Sequence, residues 1–151
     1  MKKSALFAIV VLALSNVTFA QSKSCFRAKQ GEATIKSLDT NKSEIALSLV
    51  ATLEDSSIDS NGDLIPERLT LNAKSETMQF STVAVHFPEL GEGTFIVECD
   101  GGTAQLSETV NGYDINSRSL QGSIGGDSDC GTSEAVIVLK NVNLESTVCA
   151  E

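Results

Sequence analysis

The hydrophobic positions of this chain recur, over most of its length, at every second residue. In EIALSLVATLE, residues 44–54, Ile45, Leu47, Leu49, Ala51 and Leu53 share one face, and Ala46, Ser48, Val50 and Thr52 share the other. Successive side chains of an extended strand point to opposite sides, so this alternation predicts a half-buried strand. IPERLTLNAK continues the habit, with Leu69, Leu71 and Ala73 inward and Arg68, Thr70, Asn72 and Lys74 outward. STVAVHF (81–87) gathers Val83, Val85 and Phe87 on one face, and TFIVEC (94–99) gathers Phe95, Val97 and Cys99. AVIVL (135–139) is apolar on both faces and predicts a central strand. Weaker strand patterns fall at 31–38 and 104–110.

Turn signals separate these runs. PELGEG (88–93), CDGGT (99–103) and the long polar stretch QGSIGGDSDCGTS (121–133) are rich in glycine. VNGY (110–113) carries an Asn-Gly pair, which suits the positive φ angles of a type I′ hairpin turn. Past residue 20 no segment sustains a helical 3.6-residue period. The expected fold is therefore all-β: an antiparallel β-sandwich or small barrel of about seven to nine short strands.

The first twenty residues stand apart. Lys2 and Lys3 precede an apolar run, ALFAIVVLAL (5–14), and SNVTFA follows with Thr18 and Ala20 placed for cleavage before Gln21. That is a secretory signal peptide, too short in its apolar part to span a bilayer. Cys25 does not sit in a lipidation motif, because Lys23 stands two residues before it and the apolar run ends too early. The expected mature chain, 21–151, is one exported domain, periplasmic or extracellular, with no membrane span. Loss of the two lysines takes its formal charge from −9 to −11. Such a surface repels nucleic acid and anionic membrane, and it favours cationic partners or divalent ions.

All four cysteines lie in the mature region, and an even number in an exported chain predicts two disulfides. We expect Cys25–Cys149, joining the first strand to the last, and Cys99–Cys130, pinning the glycine-rich loop. Zinc is disfavoured: no two cysteines have C-x-x-C spacing, and His86 is the only histidine.

Two stretches carry candidate chemistry. In DSSIDSNGDLIPERL (55–69), Asp59, Asn61 and Asp63 stand at alternate positions, followed by the carbonyl of Ile65 and the carboxylate of Glu67. This resembles the Asp-x-Asn-x-Asp opening of EF-hand, dockerin and thrombospondin-type calcium loops, in which hard oxygen ligands curl around the ion. The resemblance covers about nine residues. It departs at Leu64, where those loops carry glycine, and at Thr70, where they carry a bidentate glutamate. The same residues also spell an ordinary polar turn between two strands, so a calcium site and a plain bend both remain open.

GGDSDCG (125–131) is similar to the nucleophile motif of chymotrypsin-like proteases, with His86 upstream and Asp100 or Asp114 between. Asp129 and Cys130 replace the glycines that follow the serine in that family, which disturbs the oxyanion-hole backbone. The chain is also far shorter than a double-barrel protease. No nucleophile, base and acid set is assembled elsewhere. The expected function is a non-catalytic binding or structural module for a protein or envelope component. The alternatives are an enzyme inhibitor presenting the loop at 88–93 or 121–133, and a small hydrolase using 125–131.

Overall fold

In a computed structural model, residues 22–58, 60–97, 102–125 and 133–150 are described. They form β1 (Ser22–Ser37), β2 (Ser43–Ile45), β3 (Ser48–Ile58), β4 (Leu64–Lys74), β5 (Gln79–His86), β6 (Thr94–Ile96), β7 (Thr103–Thr109), β8 (Gly112–Arg118), β9 (Leu120–Ile124) and β10 (Ala135–Thr147). Every pairing is antiparallel. The order β1–β3–β4–β5–β6–β7–β8–β10 closes on itself where β10 meets β1, so the fold is a barrel and not a sandwich. Two short strands extend the ring. β2 carries the line of β3 further along β1, and β9 carries β8 further along β10 and bridges to β5. Closure removes the long unpaired edges that would invite another chain.

The interior is packed solid. Leu49, Leu69, Leu71, Phe80, Phe95, Ile115, Leu120, Ile137, Leu139 and Leu144 are all essentially sealed from solvent and belong to one continuous cluster. The inward faces of β3 and β4 are those the alternation predicts. On β5 the inward face is the other one. Register with β4 sets Phe80 opposite Ala73, Thr82 opposite Leu71 and Ala84 opposite Leu69, so Val83 and Val85 face outward and half-exposed. Across this pair each larger inward residue meets a smaller one, Phe80 against Ala73 and Leu71 and Leu69 against Thr82 and Ala84, which suits the filling of a narrow barrel.

A crease crosses four neighbouring strands. On β1 the alternation changes phase at Gly31, whose φ is 119°; on β10 it changes at Asn141, with φ 47°. β8 passes into β9 through Ser119, at φ 48°, and β2 gives way to β3 between Ile45 and Ser48. A Cβ on Gly31 would lie 2.5 Å from the Val142 Cα and 2.6 Å from the Asn141 carbonyl oxygen. Only glycine accepts both that φ and that approach. Because β2 and β3 fall on opposite sides of the crease, Ile45 and Leu47 point outward at 70% and 69% exposure. The expectation that they share a buried face with Leu49 is corrected.

Three further expectations change. The turn in VNGY is centred on Val110 and Asn111, neither with positive φ, while Gly112 opens β8. A Cβ on Gly112 would sit 2.1 Å from the Leu144 carbonyl oxygen, so that glycine serves the close approach of β8 to β10 and not the turn. β9 occupies the start of the stretch read as a loop, and β10 runs on through the polar KNVNLEST, with Val142 and Leu144 buried.

The Cys25–Cys149 disulfide is formed, with Cα atoms 5.1 Å apart across 124 residues of chain. In the chain-entropy picture a loop of that size stabilises by roughly 4–5 kcal/mol. The second expected bond rests on Cys99 and Cys130, which lie outside the described residues, so one disulfide is observed where two were expected. Among the described residues no helix is long and apolar enough to cross a membrane.

Candidate functional site

β3, β5, β7 and β10 run in the same direction, so the connections that follow them, and the tail, emerge at one end of the barrel. Each displays an exposed aliphatic side chain: Ile58, Leu90, Val110 and Val148. Between them stand the exposed carboxylates Asp63, Glu67, Glu89, Glu92 and Glu108. Cations stand on the wall below: Lys23 and Arg68 lie beside Glu54 in strand register, and Lys29 meets Glu145 at 2.6 Å.

A shallow groove opens beside the β7–β8 turn. Phe26 from β1 and Tyr113 from β8 meet edge to face there, with ring centroids 5.1 Å apart, and Val110 and Glu108 rise at its side. The Tyr113 hydroxyl is pushed above its usual pKa, first by partial burial and then by the negative charges of Glu108 and Asp55. Aromatic surface and negative charge thus converge on one spot. Asp55 itself accepts a hydrogen bond from the Ser22 hydroxyl.

The β5–β6 connection is stiff. Leu90 N–H donates to Phe87 (3.1 Å), Gly91 N–H to Pro88 (3.0 Å) and Leu106 N–H to Gly93 (2.9 Å). The Gln105 amide donates to the Glu92 carbonyl at 2.6 Å and its oxygen accepts from the Thr94 hydroxyl at 2.7 Å. Pro88–Leu90 is a single 3₁₀ turn with Leu90 at its apex.

At the other end, Glu44 turns its carboxylate toward the β4–β5 turn. It accepts from the Ser75 hydroxyl, from Thr77 N–H at 3.2 Å and from the Thr77 hydroxyl at 2.5 Å, and it pairs with Lys42. These donors, Lys42 first, hold its pKa down at about 2.

The residues singled out in the sequence separate as follows. Asn61 and Asp63 lie exposed in the turn joining β3 to β4, whereas Ile65 and Glu67 lie further on, in the extended β4; Asp59 is outside the described residues. Gly126 to Gly131, including Ser128, and Asp100 are also outside them. His86 ends the inward-facing series of β5, half-buried, with its ring 5.3 Å from that of Phe95. Asp114 stands on the outer face of β8, where Asn143 donates to it at 2.9 Å. His86 and Asp114 therefore face opposite ways on strands that are not neighbours.

The groove and the exposed aliphatics were not expected from the sequence. Their one signal was an apolar residue inside each turn segment: Leu90 in PELGEG and Val110 in VNGY. No known family, curated protein or solved structure matches this chain.

Proposed function

We propose that this chain is an exported, non-catalytic β-barrel module that acts by binding a partner on its outer surface. The observation that carries the reading is the filled interior. Barrels of this size that hold small ligands keep an internal cavity, whereas here aliphatic and aromatic side chains occupy that space. Recognition then falls to the surface, where aliphatic side chains stand exposed at one end. Cys25–Cys149 supports export, since disulfides persist in oxidising compartments. Affinity capture with the mature chain should retain a discrete, saturable partner from envelope extract. Turnover of ester, peptide or glycoside substrates that Ser128→Ala abolishes would overturn the non-catalytic reading.

A second reading, an enzyme inhibitor, is favoured by the braced loop that holds Leu90 outward. A pre-organised loop binds at lower entropic cost than a mobile one. Inhibition of leucine-preferring proteases, lost in Leu90→Asp, is its test. Calcium enters through Asn61 and Asp63, and an ion held by all five positions would join the turn to β4. A rise in melting temperature in millimolar calcium, absent in Asp63→Ala, would support it; an unchanged melting temperature leaves a plain turn.

A further inference from the structure

We infer that the groove beside the β7–β8 turn receives a lysine or arginine side chain of a basic, amphipathic polypeptide. The inference rests on the binding-module reading and names the surface and the kind of partner. Three features converge. The groove is floored by the Phe26 and Tyr113 rings and flanked by Val110, whose side chain is fully exposed. Glu108 lines it, and the charges of Glu108 and Asp55 both reach the Tyr113 hydroxyl. Around it the same end of the barrel carries Glu89 and Glu92 beside Leu90.

This combination selects for a particular side chain. An alkyl stem gains by lying on apolar surface, as lysine and arginine stems do. A cation at the end of that stem gains from the aromatic ring and from the carboxylates. An acidic or purely apolar side chain would gain only part of this. The alternating aliphatic and acidic residues around the barrel end suit a partner that alternates apolar and basic residues. Among the described residues, the outer wall at Ile45 and Leu47 is a second exposed apolar surface. It is set among Lys36 and Lys74, so the charge there is wrong for a basic partner.

Tyr113 is the only tyrosine and there is no tryptophan, so intrinsic fluorescence reports this groove directly. The probe is a short peptide of alternating lysine and leucine without aromatic residues, titrated into the mature chain at low and physiological salt. Tyr113 emission should change saturably, and the affinity should fall as salt rises. The peptide with glutamate in place of lysine should give no change. Glu108→Gln and Val110→Ser should each weaken binding about threefold, and the pair about tenfold. Ile45→Ser with Leu47→Ser should leave binding unchanged. Equal affinity for the glutamate peptide, or full affinity in the folded double variant, would overturn the inference. A partner captured from envelope extract that maps to the Ile45–Leu47 wall would also overturn it, while leaving the binding-module reading intact. Substrate turnover would remove that reading itself.

Discussion

Ile45 and Leu47 stand about two-thirds exposed on the outer wall, while Leu49, Ala51 and Leu53, a few residues further on, are sealed inside the barrel. The two halves of this segment have the same spacing of apolar residues and lie along the same neighbour, β1. They differ in where they meet it. β3 pairs with Ser22–Arg27, below the crease, and β2 pairs with Thr34–Lys36, above it. On β1 itself the phase shift at Gly31 turns Thr34 outward like Arg27, an odd number of residues away. β2 must follow its neighbour, and so its apolar side chains turn out. A side chain's fate is thus set by the phase of the strand beside it as well as by its own pattern.

The sharpest way to break this contrast is at its origin. Gly31→Ala places a Cβ against the β10 backbone and an L-residue at φ 119°. Strain at such a φ and overpacking each cost on the order of 1–3 kcal/mol. We expect a loss of about 3 kcal/mol or more in denaturant melts. A loss under about 1 kcal/mol would mean that the crease relaxes freely.

Leu49→Ala tests the inward half. Leu49 is 1% exposed, opposite Ala73 in a filled core. Truncation should cost about 2–5 kcal/mol, since the surrounding barrel cannot collapse fully into the gap. The same change at Leu47 should cost no more than about 0.5 kcal/mol.

The fold was legible where strands keep their phase. Leu69, Leu71 and Ala73 alternate without interruption, and they face inward as their spacing says. Cys25 and Cys149 were legible because the ends of an antiparallel barrel meet, and β1 pairs with β10 at Cys25 and Thr147. What escaped depends on long-range register. The inward face of β5 is chosen by β4, because Thr82 and Ala84 fit beneath Leu71 and Leu69 where two valines would crowd them. β8 through β9 escaped because its polar run is helped into place by the Ser117 hydroxyl, which receives Leu139 N–H at 2.9 Å. The groove escaped for the same reason: Phe26 and Tyr113 are far apart in sequence, and only closure of the ring brings them together.

Acid separates the two halves in another way. Glu44 belongs to the outward half, and its folded pKa of about 2 lies below the ordinary carboxylate value. Its contribution is complete above the unfolded pKa, near 4.5, and is lost as pH falls toward about 2. Melting temperature should decline across that window, and Glu44→Gln should flatten that part of the decline. A wild-type and variant that decline in parallel would show that the Lys42–Ser75–Thr77 cluster does not hold β2 in place.

The smallest expected effect is on the outward half itself. Ile45 and Leu47 already meet water, so Ile45→Ser with Leu47→Ser removes little buried area. Stability should stay within about 0.5 kcal/mol of wild type. Serine also retains the backbone N–H groups that tie the segment down, Leu47 N–H to the Lys74 carbonyl at 2.7 Å and Ala46 N–H to the Ala33 carbonyl at 2.8 Å. The informative readout is therefore hydrogen exchange at these two amides in wild type and double variant. Unchanged protection would show that main-chain pairing across the crease places β2. Faster exchange with unchanged global stability would show that the two side chains, though exposed, hold the strand against the wall, and the contrast with Leu49 would then be one of degree.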